Sequence, residues 1–115
     1  MVGEPPAPEP GRIVWLDFSP TAGTEQAGRR PALVLSDHGY NERSGRAVVA
    51  PITSRVRGWA FEVALPDDFE VQGVVLADQL RTVDWRARGA RLAATVPGAV
   101  LEEARAKVGA LIGLG

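Results

Sequence analysis

The sequence Glu25-Gln26-Ala27-Gly28-Arg29-Arg30-Pro31-Ala32-Leu33-Val34-Leu35-Ser36 joins a polar, glycine-containing loop to an apolar, strand-like run. The loop carries one carboxylate, on Glu25, and two guanidinium groups, on Arg29 and Arg30. A guanidinium group can hold two phosphate oxygens at once, and a glutamate can accept a proton from a nearby hydroxyl. This stretch therefore predicts a loop that handles a phosphodiester and that is positioned by the strand following it.

A second polar segment follows another apolar strand about twenty residues downstream. The sequence Ala50-Pro51-Ile52-Thr53-Ser54-Arg55 ends that strand with two hydroxyl groups and a further guanidinium. A strand end can direct side chains into a groove, and binding chemistry usually lies on the loops beside strands. The two segments could therefore face one site.

Outward from these segments, the apolar pattern predicts a mainly β domain. Five strand-like runs and a weaker sixth occupy residues 12–18, 31–36, 46–52, 61–65, 73–78 and 80–85. They are separated by turn-rich stretches such as residues 19–23 and 37–41. Apolar spacings of three and four predict a C-terminal helix at residues 98–112. Residues 1–11 are rich in proline and predict a flexible tail, which leaves residues 12–115 as the domain.

Composition excludes several classes of chemistry. The chain has 115 residues, one histidine and no cysteine, so disulfides, thiolate metal sites and imidazole pairs are not available. We expect no cofactor and no metal, since a catalytic metal would need carboxylates alone. No segment approaches the roughly 18 apolar residues of a membrane span, and the expectation is a cytoplasmic protein that does not contact a membrane.

The charge pattern suits local contact with phosphate. The net charge is −1, but residues 29–91 carry ten basic and eight acidic side chains. Twelve of the thirteen basic residues are arginine, the side chain that binds phosphate with two parallel hydrogen bonds. A genomic bias toward arginine, alanine, glycine and proline would explain the excess equally well.

Several stretches of the chain resemble the MazF/PemK family, the ribosome-independent RNA-cleaving toxins of bacterial toxin–antitoxin pairs. The resemblance covers residues 11–112 and is carried by residues 11–18, 25–36, 51–54, 61–63, 75–79 and 85–90. It implies a compact SH3-like β-barrel of the MazF/PemK/CcdB toxin type with a C-terminal helix. It also implies a homodimer and a cognate MazE-like antitoxin, whose acidic C-terminal tail occupies the RNA groove.

Residue chemistry and resemblance select the same catalytic trio. RNA can be cut without metal when its 2′-hydroxyl attacks the adjacent phosphorus, which requires proton transfer and stabilisation of charge on the phosphoryl oxygens. We assign Glu25 as proton acceptor, Arg30 as charge stabiliser and Thr53 as hydrogen-bond donor. Family members carry arginine and threonine at the positions of Arg30 and Thr53, and give the glutamate a supporting role. The structural alternatives are a surface ion pair between Glu25 and Arg30 and a strand hydroxyl bonded to its own backbone.

Further side chains could bind the RNA itself. Of the aromatic residues, Trp59 follows a turn and is the better candidate for stacking on bases, whereas Trp15 lies within a strand and is expected in the core. Arg29 replaces a histidine of some relatives and is expected to bind RNA, while His38 is expected in a turn. The complete predicted RNA-binding set is Arg29, Ser54, Arg55, Arg57, Trp59 and Arg86.

The leading functional hypothesis is a toxin that acts as a sequence-specific, metal-independent endoribonuclease on single-stranded messenger RNA and so inhibits translation and growth. A toxin of the same fold that binds DNA gyrase without nuclease activity is one alternative, and it would not need Glu25, Arg30 or Thr53. A non-enzymatic SH3-like interaction module is another, since one fold hosts many functions.

Overall fold

The two segments quoted above belong to neighbouring strands at the centre of an antiparallel sheet. The computed structural model describes residues 6–18 and 28–114. Strand β2 (Arg29–Val34) pairs with β3 (Arg46–Thr53), with Leu33 opposite Ala50. Alternate residues of each strand are buried on opposite sides of the sheet, so both strands contribute to two separate apolar clusters.

The remaining strands extend this sheet to seven. They are β1 (Arg12–Asp17), β4 (Glu62–Ala64), β5 (Val74–Leu76), β6 (Arg81–Asp84) and β7 (Arg91–Thr95). The order is β4-β5-β3-β2-β1-β7, and β6 also pairs with β3. All the pairings are antiparallel. Because β3 pairs with β2, β5 and β6 at different points along its length, it links the two sides of a strongly curled sheet.

One side of the sheet is covered by the long helix α2 (Gly98–Leu111). Its buried residues Val100 and Ala104 pack with Ile13, Leu33 and Ile52 in the first apolar cluster. The helix is also tied to the sheet by polar contacts, because the guanidinium of Arg105 donates to the carbonyl of Leu35 at 2.7 Å. The recurrence of apolar residues at spacings of three and four explains why this segment is helical and why it lies on the sheet.

A short helix, α1 (His38–Ser44), lies between β2 and β3 in the sequence and has one buried residue, the polar Asn41. Asn41 is fully buried, and its amide donates to the carbonyls of Pro8 at 2.8 Å and Ser36 at 3.0 Å. The Asn41 side-chain oxygen accepts from the Ser36 hydroxyl. The backbone carbonyl of Asn41 accepts from the indole N–H of Trp85 at 2.9 Å. These bonds satisfy the buried amide completely and connect α1 to the core.

The described part of the proline-rich N-terminal segment forms no helix or strand, but it is attached to the sheet. The backbone N–H of Gly11 donates to Val34, and the Gly11 carbonyl accepts from Val96, both at 2.9 Å. Ala7 packs against the second apolar cluster, and Pro8 is held by Asn41. The sequence predicted a flexible tail for residues 1–11; its described part is attached to the sheet by backbone hydrogen bonds and by the partly buried Ala7 side chain.

The predicted fold class is confirmed: the protein is mainly antiparallel β with a C-terminal helix. All six predicted strands occur, and the predicted helix at 98–112 ends one residue earlier. The sequence analysis missed β7 and α1. The β7 segment contains two alanines, which favour strands weakly, and α1 buries only the polar residue Asn41, so neither shows a clear apolar period.

Two placements expected from the sequence are wrong. Trp15 was expected in the core but is 40% exposed, because it lies on the side of β1 opposite the buried residues Val14 and Leu16. His38 begins α1 instead of lying in a turn. No helix in the described part of the chain has the length and apolar character that crossing a membrane requires.

Candidate active site

The pairing register places Arg30, Thr53 and Glu62 on one side of the sheet. The sequence predicted the first two as site residues, and the structure adds the third. Arg30 lies two residues before Ala32, which is opposite Pro51, and Thr53 lies two residues after Pro51. Side chains alternate along a strand, so Arg30 and Thr53 share a side. The same relation continues through β5 to β4, where Leu76 is opposite Glu62. The site is thus built across four neighbouring strands, β2, β3, β5 and β4.

These residues line a groove of about 770 Å³. Six residues predicted from the sequence are among its walls, together with four that were not proposed as site residues. The groove carries three guanidinium groups and two carboxylates, and its walls are formed by Arg30, Thr53, Ser54, Arg55, Arg57, Trp59, Glu62, Leu76, Asp78 and Gln79. It therefore combines cationic, hydroxyl and aromatic groups in one open cleft.

Thr53 ends β3 and is partly buried at the floor of this groove. Its hydroxyl oxygen accepts a hydrogen bond from the backbone N–H of Arg55 at 3.1 Å. A hydroxyl bonded to nearby backbone was the structural alternative that the sequence offered for Thr53. A threonine hydroxyl has one donor and two acceptor positions. The bond uses one acceptor position, fixes the oxygen in the groove and leaves the O–H available to donate to a ligand.

The loop between β3 and β4 forms one wall of the groove. The Glu62 carboxylate accepts from the backbone N–H of Arg57 at 3.0 Å and of Gly58 at 2.9 Å. The Arg57 guanidinium lies over the Trp59 ring, 5.9 Å from its centroid, while Trp59 remains 61% exposed. A cation over an indole face is attractive, so the loop presents a guanidinium and an indole together to the groove.

Other predicted residues lie elsewhere. Arg29 neighbours Arg30 but belongs to the opposite side of β2, and its guanidinium donates to the Gly89 carbonyl at 2.9 Å. Arg86 lies over the ring of Trp85 at 4.7 Å, in the turn between β6 and β7. Neither lines the groove. Glu25, the predicted proton acceptor, falls outside the described residues.

The groove also contains residues that sequence reasoning did not propose as a site: Glu62, Leu76, Asp78 and Gln79. Asp78 and Gln79 belong to a short 3₁₀ helix, Ala77–Gln79, that follows β5. The backbone N–H of Ala77 donates to the Phe61 carbonyl at 3.0 Å, which holds this turn beside the β3–β4 loop. Residues 61–63 and 75–79 are among the stretches that carry the family resemblance, but only the strand register brings them together in this groove.

A second cavity, of about 630 Å³, lies between the N-terminal segment and the β6–β7 turn. Its walls include Ala7, Val14, Trp85 and Leu92, and none of the predicted site residues in the described part of the chain. Within residues 6–18 and 28–114, no group of three or more His, Cys, Asp or Glu side chains is placed to hold a metal ion.

Comparison with protein families identifies the class to which this fold and groove belong. Residues 9–112 match the model of the PemK-like, MazF-like toxins of type II toxin–antitoxin systems, and the chain belongs to that family. The predicted family is confirmed, and the chain is an endoribonuclease toxin.

Named relatives agree over nearly the whole chain. The chain is 46% identical over 106 residues to the endoribonuclease toxin MazF of Escherichia coli strain K12, covering 92% of this chain and 95% of that protein. It is 40% identical over 109 residues to the endoribonuclease toxin ChpB of the same strain, covering 90% and 93%. Neither gyrase binding nor a non-enzymatic role appears in the names of these relatives.

Solved structures give the same result for the fold. The crystal structure of MazF from Deinococcus radiodurans superposes with a TM-score of 0.88 at 52% identity, covering 93% of this chain and 97% of that one. A crystal structure of MazE-MazF from the same organism gives a TM-score of 0.86 at 51% identity, covering 95% and 98%.

Proposed function

We propose that this toxin cuts single-stranded messenger RNA at specific sequences, without a metal, and so inhibits translation and growth. The RNA 2′-hydroxyl attacks the adjacent phosphorus, the bond to the 5′-oxygen breaks, and the products carry a 2′,3′-cyclic phosphate and a 5′-hydroxyl. The observation that supports this most strongly is the meeting of Arg30 and Thr53 in one groove with two further guanidinium groups and an exposed indole.

Arg30 and Thr53 stabilise the transition state. Negative charge grows on the phosphoryl oxygens as the 2′-oxygen attacks, and preorganised donors aimed at that charge lower the barrier. Arginine remains protonated in proteins and is a poor base, so Arg30 stabilises charge and donates hydrogen bonds. The Thr53 hydroxyl, whose oxygen accepts a hydrogen bond from the Arg55 N–H, donates its hydrogen to the same oxygens.

The proton of the 2′-hydroxyl passes to a carboxylate. Glu25 precedes Arg30 by five residues in the sequence, and it is the acceptor that we propose. Asp78 is the second carboxylate to consider, because it lines the groove and is exposed. The departing 5′-oxygen takes a proton from a donor in the groove or from water.

The rest of the groove binds the strand. Arg55, Arg57 and the Ser54 hydroxyl contact flanking phosphates, and Trp59 stacks on an unpaired base. Stacking on an aromatic side chain contributes about 1–3 kcal/mol per base and accepts every base, whereas arginine contributes affinity that depends on salt. Arg29 and Arg86 lie outside the groove and can reach only RNA that extends beyond it.

We further propose that the toxin forms a homodimer and is inhibited by a cognate MazE-like antitoxin. The similar MazF of Deinococcus radiodurans is seen in a crystal structure of MazE-MazF. The groove's guanidinium groups would attract an acidic antitoxin tail as they attract phosphate. Apolar side chains at the end of α2, including Ile112 and Leu114 at 62% and 80% exposed, supply surface for assembly.

The decisive experiment is cleavage of a long RNA in excess EDTA by the wild type, Arg30→Ala and Thr53→Ala. We expect discrete cuts with 5′-hydroxyl and cyclic phosphate ends, reduced about 100-fold or more in each variant because each loses a transition-state donor. Arg43→Ala is the matched control, since Arg43 is exposed on α1 and does not line the groove. Absence of cutting by the wild type, or equal cutting by all the variants, would reject the proposed reaction.

A further inference from the structure

Glu62 holds the β3–β4 loop through its carboxylate. The carboxylate points into the groove from the first residue of β4 and accepts three hydrogen bonds from backbone N–H groups. Arg57 donates to both oxygens, at 3.3 Å and 3.0 Å, and Gly58 donates to one, at 2.9 Å. Bonds from N–H groups to an ionised carboxylate are stronger than those between neutral groups. One side chain therefore fixes two successive peptide groups.

The backbone of Glu62 secures the other end of the same loop. Its N–H donates to the Trp59 carbonyl at 3.1 Å, and its carbonyl accepts from the Lys107 ammonium at 2.7 Å. Lys107 belongs to α2 and also pairs with Glu103 at 3.1 Å. Residues 57–62 are thereby closed into a small arch that is attached to helix α2.

The arch carries Trp59 and Arg57, which the proposed function assigns to an unpaired base and to a flanking phosphate. Trp59 is exposed, with the Arg57 guanidinium 5.9 Å from its ring centroid, and Gly58 between them has a φ of +79°. That backbone conformation favours glycine and turns the chain sharply. Without the Glu62 carboxylate, three N–H bonds would be lost, and Arg57 and Trp59 would have to be ordered when RNA binds.

We propose that Glu62 is a positioning residue, which preorganises Trp59 as a stacking platform for one unpaired base beside the scissile phosphate and holds Arg57 next to it for the flanking phosphate. This inference rests on the RNA cleavage proposed above. Glu62 acts through the backbone of the loop and does not contact the reacting atoms, so it governs RNA binding and leaves the chemical step to Arg30 and Thr53. Ordering a binding loop beforehand removes an entropic cost of association.

The test compares Glu62→Ala and Glu62→Gln in steady-state cleavage of a short RNA with one cut site, in EDTA. We expect KM to rise about tenfold in Glu62→Ala, with kcat changed less than about threefold, since ordering costs fall on binding. Glu62→Gln keeps one oxygen acceptor and should recover part of the loss. Glu102→Ala is the control, because Glu102 is an exposed carboxylate of α2 outside the groove.

A double-substitution cycle makes the assignment specific. In a Trp59→Ala background, Glu62→Ala should raise KM by less than about twofold, because both changes remove the same platform. Amide hydrogen exchange at Arg57 and Gly58, measured without RNA, should accelerate in Glu62→Ala while exchange in β3 is unchanged. This readout also shows that the variant is folded.

The outcomes separate this inference from the proposed function. If the wild type does not cut RNA, both are rejected. If the wild type cuts and Glu62→Ala has an unchanged KM, or loses kcat instead, only the positioning role is overturned. Effects that add independently in the Trp59→Ala background would also overturn it.

Discussion

Gly73 lies against the backbone of Thr53 so closely that a side chain cannot be accommodated between them. A Cβ atom built on Gly73 would be 2.1 Å from the Thr53 carbonyl oxygen and 2.8 Å from its carbonyl carbon. The φ of Gly73 is +117°, a conformation that residues with a side chain rarely adopt. The turn that enters β5 is therefore packed directly on the residue that we assign to transition-state stabilisation.

Gly73→Ala should displace Thr53 and reduce kcat about 100-fold, because a misplacement of about 1 Å can cost that much. Gly39→Ala is the matched control, since nothing lies within 4 Å of its added Cβ. Cleavage kinetics at 15 °C, with circular dichroism to verify folding, measure the effect. A folded Gly73→Ala variant with wild-type kcat would show that the contact does not position Thr53.

Arg29→Ala should lower kcat/KM less than about threefold, because its guanidinium is bonded to Gly89 on the side of β2 away from the groove. Arg30→Ala, one residue further along, should lose about 100-fold or more in kcat. The two variants remove the same charge from adjacent positions, so overall electrostatics cannot explain a difference. Equal losses would contradict the opposite placement of the two side chains.

Arg55 and Arg57 should govern the salt dependence of RNA binding. In a cleavage-deficient Thr53→Ala background, each substitution by alanine should reduce the slope of log K against log salt by about 0.7, as expected for one phosphate contact on a single strand. Fluorescence anisotropy with a labelled RNA, at several salt concentrations, gives the slope. Arg43→Ala should leave it unchanged, and an equal decrease there would rule out localised contacts.

Replacing the two candidate carboxylates identifies the proton acceptor. Glu25→Gln should reduce kcat about 100-fold, within the range for removal of a general base, whereas Asp78→Asn should change it less than about tenfold. Single-turnover cleavage with saturating enzyme isolates the chemical step. A reversed order of effects would transfer the role to Asp78, which lines the groove.

Asn41→Ala should destabilise the fold by about 2–4 kcal/mol, since it removes three buried hydrogen bonds and leaves the Pro8 and Ser36 carbonyls without this donor. Urea denaturation measures the change, and Glu42→Ala is a control on the exposed part of α1. Cleavage well below the melting temperature should persist, because Asn41 is remote from the groove. A change in the free energy of unfolding below 0.5 kcal/mol, about the size of an ordinary surface effect, would show that the Asn41 side-chain hydrogen bonds are not needed for stability.

The sequence predicted those parts of the fold whose pattern is local. Six strands follow from apolar runs, and α2 follows from its spacing of three and four. The missed elements depend on tertiary contacts: β7 is stabilised by pairing with β1, and α1 by Asn41 bonding to Pro8 and Trp85. Trp15 was misplaced because hydrophobicity alone does not reveal which side of β1 is covered at that position.

The candidate site also contains residues that a local sequence pattern predicts and residues that only tertiary contacts bring together. Arg30 and Thr53 could be proposed because each belongs to a compact polar motif at a strand end, and the groove contains both. Arg29 could not be separated from Arg30 by chemistry, since only the alternation along β2 distinguishes them. Glu62 and Asp78 could not be singled out, because their neighbours in the groove come from distant parts of the chain.

The separation between the exposed β3–β4 loop and the strands that form the apolar clusters has a consequence for how such toxins diversify. The residues that we assign to contact with flanking RNA, from Ser54 to Trp59, are all exposed, whereas the strands beneath them hold the apolar clusters. Substitution in this loop costs little packing energy, provided that Gly58 and the Glu62 carboxylate are retained. The recognised RNA sequence can therefore drift during evolution while the cleavage centre and the stability of the protein stay constant.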